Sequence, residues 1–418
     1  MIRVRSLRSR LLPARERRWT DRARAAAAGS AQPLVALALN SSTSLVAGAV
    51  LGSITHTFER LPGLLILVPA AIGLRGNVFA ALGNRLSTAI HTGTFNLSFR
   101  SDTVLGQNVL ASLYLTGGLS LALAGVAKVV AIGFGVQHTM PLLDMAAVSV
   151  VGGLLASAAV LAATVALTLG SVRYEWDLDN LVAPVVSTLG DVLTLPALWL
   201  AAHLIGGGRP SQAIGGVLAA LAVAGTVAGL RTRHALLRAV MRESWPVLFA
   251  AVVLSTLAGV VIEKQLGIFS AYPALLVLVP AFVSSAGALG GVLSSRLATK
   301  LHLGTLTPTI VPDRGARSDG VALLLLGLPI YVLNGAGAHV VGGLTGAASP
   351  GLAPMLAASL GGGAAAVVFV IAVAYYGSIA ASRLGVDPDT YGVPLVTSSV
   401  DFAGALALIL AIVALGIA

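Results

Sequence analysis

Residues 61–95 read LPGLLILVPAAIGLRGNVFAALGNRLSTAIHTGTF, and residues 272–306 read YPALLVLVPAFVSSAGALGGVLSSRLATKLHLGTL. At an offset of 211 the blocks share Pro62/Pro273, Pro69/Pro280, Gly76/Gly287, Arg85/Arg296, Thr88/Thr299, His91/His302 and Gly93/Gly304. Apolar matches carry little weight in so hydrophobic a chain, but matched Arg, His and Pro do. A second pair, WDLDNLVAPVVSTLGD at 176–191 and VDPDTYGVPLVTSSVD at 386–401, shares Asp177/Asp387, Asp179/Asp389, Pro184/Pro394 and Asp191/Asp401 at an offset of 210. The offset drifts by one residue between blocks more than 100 residues apart. The chain therefore contains a duplicated unit.

That unit is built for lipid. Of the 418 residues 56% are hydrophobic and 10% charged, against about 25% charged in a soluble domain. A membrane span needs roughly 20 mostly apolar residues. About eleven runs meet this, near 34–56, 62–90, 103–134, 142–170, 181–206, 211–230, 244–262, 271–300, 320–346, 352–382 and 393–417. Runs longer than one bilayer thickness are expected to tilt, kink or break at Gly and Pro. The fold class predicted is an all-α membrane protein with two five-helix repeats. Five spans are odd, so direct fusion would invert the second copy; the extra span near 211–230 restores parallel halves, related by an axis along the membrane normal rather than the inverted arrangement of other transporters. The expected division is a basic cytoplasmic segment at 1–30, a first repeat at 31–206, a linker helix and basic loop at 207–242, and a second repeat at 243–418.

The formal charge of +10 is concentrated in two places. Nine arginines lie between Met1 and Ala28, and Arg231, Arg233, Arg238 and Arg242 form the second cluster. Basic clusters beside apolar runs mark cytoplasmic loops and attract anionic headgroups; this reading is preferred to a nucleic-acid partner. It puts the N-terminus inside and the C-terminus outside, in a prokaryotic plasma membrane. The small-residue run from Ala25 to Ala31 precedes the first apolar run, so no signal peptide is expected; an Arg-rich, acid-poor start also fits an organelle transit peptide. With no cysteine, disulfides, zinc–thiolate sites, iron–sulfur clusters and thiol catalysis are excluded.

Of the 16 acidic residues only Asp191 and Asp401 sit well inside apolar runs, at equivalent places in the two halves. An ionised carboxylate in hydrocarbon costs roughly 2.5–3.5 kcal/mol by insertion scales. It must face a wet cavity, meet a cation or be protonated. Two symmetry-related aspartates should converge on the central axis, either as helix–helix hydrogen bonders or as a divalent-cation site. Mg²⁺ keeps several waters and is held by one or two carboxylates. Ser187 and Thr397 lie four residues before each Asp, on the same helix face, where their hydroxyls would reach metal-bound water. Pro184 and Pro394 are expected to free a carbonyl one turn earlier. Asn77, in Gly73-Leu-Arg-Gly-Asn77, offers a further oxygen; the second half has Ser284, Ser285, Ala286, Gly287 and Ala288 there. Arg85 and Arg296 are read as anchors for phosphates or for Asp177, Asp179, Asp387 and Asp389. His91 and His302 are read as interfacial side chains rather than ligands.

The runs IGLRGNVFAALGNRLSTAIHTG (72–93) and DLDNLVAPVVSTLGD (177–191) resemble the membrane domain of the MgtE magnesium-transporter family, and more closely its duplicated relatives, the eukaryotic magnesium solute carriers. The second half departs from the pattern in its GLRGN region. The resemblance implies Mg²⁺ as transported substrate, no organic cofactor, and an ion-binding role for Asp191 and, by repeat, Asp401. MgtE is a homodimer of five-span subunits, so the duplication implies one chain forming the whole pore; a homodimer of the fused chain is left open. MgtE also has a cytoplasmic sensor region, for which the segments here are expected to be too short. Another divalent cation, such as Mn²⁺ or Co²⁺, and a proton- or sodium-coupled carrier remain alternatives. Absent cysteine favours hard ions. An intramembrane aspartyl protease would also use two aspartates, but its Gly-x-Gly-Asp signature is missing at Thr188-Leu-Gly-Asp191, and no enzyme is expected.

Overall fold

The computed structural model describes the backbone of residues 14–136, 139–174, 178–205, 209–306, 309–383 and 393–417, and their side chains except at 14–32, 178–184, Ser187 and a few helix-end positions including His302. Among these residues there are helices and no strands. In chain order they are α1 (Ala14–Ser53), α2 (Thr55–Arg60), α3 (Leu64–His91), α4 (Val104–Gly133), α5 (Leu142–Tyr174), α6 (Leu178–Ile205), α7 (Arg209–Arg231), α8 (Ala235–Glu263), α9 (Leu266–Ala271), α10 (Pro273–His302), α11 (Arg314–Thr345), α12 (Leu352–Arg383) and α13 (Val393–Ala414). Eleven are long and apolar enough to cross a membrane, in the places the hydropathy pattern predicts. The short α2 and α9 touch each other.

Matched glycines end matched helices. Gly93 and Gly304 adopt φ of 69° and 67° after α3 and α10; Gly135 and Gly346 adopt 70° and 73° after α4 and α11. The left-handed residue lets the next amide fold back on the last turn, as in Thr94 N to Ala89 O and Thr305 N to Lys300 O, both 2.9 Å.

Helix neighbours follow the same duplication. α3 packs on α4, α5 and α6, as α10 packs on α11, α12 and α13. The first long helix of each half crosses to the other: α1 lies on α10 and α11, and α8 lies on α3 and α4. α1 and α8 also touch the last helix of their own half, α6 and α13. The crossings are backbone-close. A Cβ on Gly48 would land on the Val277 carbonyl, and one on Gly259 on the Ile66 carbonyl; both the glycines and their contacts are 211 apart. Small residues permit such approach where lipid supplies no hydrophobic drive. α7 packs on α4, α5 and more lightly α8.

The two exchanged interfaces differ in chemistry. Between α1, α10 and α11, buried Ser41 donates to Asn334 Oδ1, and Asn334 Nδ2 reaches Ser285 Oγ at 3.0 Å and Ala281 O at 3.2 Å. The equivalent places between α8, α3 and α4 hold Val252, Leu74 and Leu123, all buried. Asn334→Leu strands two buried hydroxyls, at about 1–3 kcal/mol for such groups. We expect a lower thermal midpoint in detergent. Adding Ser41→Val and Ser285→Leu, the composition of the opposite interface, should restore most of it; no recovery would mean that the polar cluster carries more than its own hydrogen bonds.

Candidate functional site: a cavity between the halves

One cavity of about 370 Å³ lies between the halves, lined by residues of α1, α3, α6, α8, α10 and α13. Its walls repeat at the same offset: Leu51 with Ile262, Val68 with Val279, Pro69 with Pro280, Gly76 with Gly287 and Asn77 with Ala288. The α1 and α8 ends contribute Leu51 and Ile262, so that part is apolar. Polar groups gather elsewhere: Asn40, Asn77, Ser284, Thr397, Ser398, Asp191 and Asp401.

Asp191 is buried, 6% exposed. Its Oδ2 accepts from Ser44 Oγ at 2.6 Å and from Ser284 Oγ at 3.2 Å. Asn40 Nδ2 stands 3.1 Å from Ser284 Oγ and extends this network. Asp401 Oδ2 accepts from Ser255 Oγ at 3.0 Å. Each carboxylate thus takes a hydroxyl from the first long helix of its own half, Ser44 on α1 and Ser255 on α8, which are 211 apart. Each also faces the second long helix of the other half. Asp191 meets Ser284 of α10, and Asp401 lies near Gly73 of α3, the equivalent position, where an added Cβ would be 3.7 Å from Oδ2. On its other side, a Cβ on Gly287 would be 3.6 Å from Oδ1.

Asp191, Asp401, Asn77 and Thr397 all line the cavity. The Thr397 hydroxyl donates to Pro394 O at 3.1 Å. The Ser187 side chain lies outside the described residues, as do the side chains of Pro184, Asp177, Asp179, Asp387, Asp389 and His302. Pro394 stands in the first turn of α13. The carbonyl it is expected to free, one turn earlier, lies outside the described residues. Arg85 donates from Nε to Asn108 Oδ1 of α4 at 2.7 Å; the side chains of the acidic residues named as its partners lie outside the described residues. His91 bonds through Nδ1 to Ser87 O of its own helix at 3.0 Å. Arg75, central to the GLRGN run, is fully buried and turns from the cavity to bond Ala71 O at 2.6 Å and Ser120 Oγ at 3.2 Å.

Ser44, Ser255 and Asn40 are not singled out from the sequence, and Ser284 is named there only as part of the second half's departure from the GLRGN run. A signal was there for two of them: Ser44/Ser255, Ala47/Ala258 and Gly48/Gly259 continue the 211 offset into the first spans. Chemically, the cavity offers two carboxylates and several neutral oxygens. No group of three His, Asp or Glu gathers among the described residues. That donor set suits a hard cation that keeps part of its water.

A family model described as divalent cation transporter, MgtE, matches residues 68–201 and 279–411, one match in each half. Solute carrier family 41 member 2 of Gallus gallus is 25% identical over 397 residues, covering 89% of this chain and 68% of that protein. Solute carrier family 41 member 3 of Rattus norvegicus is 24% identical over 288 residues, covering 67% and 62%. Solute carrier family 41 member 2 of Homo sapiens is 26% identical over 291 residues, covering 68% and 50%. The match thus spans 50% to 68% of the length of these relatives. No solved structure matches it.

Proposed function

We propose that this chain, which belongs to the MgtE family of divalent cation transporters, carries Mg²⁺ across the membrane through the cavity between its halves, with Asp191 and Asp401 binding the partly hydrated ion. It is an integral multi-pass membrane protein and a transporter rather than an enzyme. The observation that carries the reading is that the two aspartates deepest in the apolar sequence line one cavity, with no third acid beside them among the described residues. Mg²⁺ is favoured over softer divalent ions because every polar donor is oxygen or amide, and hard cations prefer oxygen. Asn77 and Thr397 would hold waters of the ion's shell; Ser187 is assigned the same part by its place one turn before Asp191.

The arrangement proposed is two parallel units, 31–206 and 243–418, with α7 restoring orientation between them. The positive-inside rule then places the 1–30 segment and the Arg231–Arg242 cluster in the cytoplasm, against anionic headgroups, and the C-terminus outside. A prokaryotic plasma membrane is the proposed location.

Purified protein in liposomes loaded with a magnesium-sensitive dye tests the function. Saturable Mg²⁺ uptake is expected, resisted by Ca²⁺ less than by Mn²⁺ or Co²⁺. No uptake of any divalent ion under any imposed gradient overturns it. The path is tested by Gly76→Leu. A Cβ at Gly76 meets nothing within 4 Å, so a side chain there starts into open space at the cavity wall. Flux should fall at least about tenfold, a barrier of only about 1.4 kcal/mol, at unchanged thermal midpoint. Undiminished flux would take the path out of this cavity.

A further inference from the structure

The two serines at the aspartates invite a specific role. Ser44 and Ser255 are fully buried, at 0% and 2% exposure, so a hydroxyl there must find a partner within the protein. Each finds the same one, Oδ2 of the aspartate in its own half. Each serine also sits four residues before the glycine at which its helix is pressed on a carbonyl of the opposite half, Gly48 on Val277 and Gly259 on Ile66. Four residues is one helical turn, so hydroxyl and backbone contact share a face. The serine position is therefore set by the opposite half, while the carboxylate it holds belongs to its own.

We propose that Ser44 and Ser255 are the positioning residues of the ion site: each fixes the carboxylate of Asp191 or Asp401 through Oδ2, leaves Oδ1 to the ion and its waters, and ties that carboxylate to the opposite half of the protein. The inference rests on the transport reading above. A carboxylate on a helix has rotamers that point along the helix as well as into the cavity. A charge-assisted hydroxyl bond selects one of them. Asp191 has a second donor in Ser284, whereas among the described residues Ser255 is the one hydroxyl that donates to Asp401. The two serines should therefore differ: loss of Ser255 frees Asp401 more than loss of Ser44 frees Asp191. Because both serines ride on exchanged helices, any sliding of one half against the other moves hydroxyl relative to carboxylate, which couples the shape of the bundle to the shape of the ion site.

The experiment compares Ser44→Ala, Ser255→Ala and the hydroxyl-retaining Ser44→Thr and Ser255→Thr with wild type. Two quantities are read on full-length protein: half-saturating Mg²⁺ for flux in liposomes, and the Mg²⁺ dependence of the thermal midpoint in detergent. Positioning predicts a rise in half-saturating Mg²⁺ of about fivefold or more for Ser255→Ala and a smaller rise for Ser44→Ala. The midpoint without divalent ion should fall by no more than the loss of one buried hydrogen bond, its Mg²⁺-induced increase should shrink, and threonine should restore both. A merely structural serine would lower the ion-free midpoint and leave half-saturation unchanged; that result, or alanine variants indistinguishable from wild type, overturns the inference while wild-type Mg²⁺ flux stands. Absence of any divalent effect on wild type overturns the functional reading and this one with it.

Discussion

Asp191→Asn and Asp401→Asn together should abolish measurable Mg²⁺ flux, and each alone should reduce it by at least about 30-fold, the factor that corresponds to about 2 kcal/mol. The charge arithmetic explains the size. A divalent ion about 4 Å from one carboxylate gains about 8 kcal/mol at an effective dielectric of 20, twice the value for unit charges. Most of that is offset by waters the ion gives up. Truncating one partner of a desolvated charge pair typically leaves a net loss of about 2–5 kcal/mol. Asparagine keeps the shape, and with its amide oxygen turned to the place of Oδ2 it still accepts from Ser44, Ser284 and Ser255. Removing a buried charge also removes its desolvation cost. The ion-free thermal midpoint should therefore hold or rise while the increase caused by Mg²⁺ disappears. Flux in liposomes and thermal unfolding with and without Mg²⁺ check both halves of the statement. A double variant that still transports at the wild-type rate would place the ion elsewhere.

The span count, the duplication and the two aspartates were legible because each rests on local pattern: apolar run length, matched turn residues such as Gly93 and Gly304, and acids where apolar residues are expected. What the sequence hid is which helix meets which. The exchange of α1 and α8 between halves is fixed by two glycine–carbonyl contacts across about 190 and 230 residues of chain, distances at which hydropathy carries no information. Ser44, Ser255 and Asn40 were overlooked for the same reason. A serine in an apolar helix bonds its own backbone as readily as another helix, as Ser42 does to Ala38 O at 2.8 Å. Only the neighbour tells the cases apart. Arg75 illustrates the converse. It stands in the GLRGN run that carries the family resemblance, yet it fills a gap between α3, α4 and α5 that in the second half is closed by Tyr331: a Cβ on Gly153 would strike Arg75 and Ser120, and one on Gly363, the equivalent position, would strike the Tyr331 ring.

Gly259→Leu is expected to prevent assembly of the bundle, and Gly48→Leu to do the same from the other side. The obstruction is backbone, not a side chain that could rotate away. A Cβ at either position overlaps a carbonyl group of α3 or α10, and those helices are held at their far sides by the rest of their own halves. Relief requires the crossing helices to part. Overpacking by a methyl costs typically about 1–3 kcal/mol, so Gly259→Ala should fold with a clearly lowered thermal midpoint, while leucine should give little monodisperse protein on size exclusion. Gly125 and Gly216 are the controls: nothing lies within 4 Å of a Cβ at either, and alanine there should be neutral or slightly stabilising, since glycine is the poorer helix former by about 1 kcal/mol. In the fraction of Gly259→Ala that folds, α8 must stand further from α3. Ser255 moves with it, one turn away on the same face, and its bond to Asp401 lengthens. Half-saturating Mg²⁺ should therefore rise in this variant as it does in Ser255→Ala, although the substituted residue touches no part of the cavity. A stability loss without any change in Mg²⁺ dependence would separate the helix crossing from the ion site.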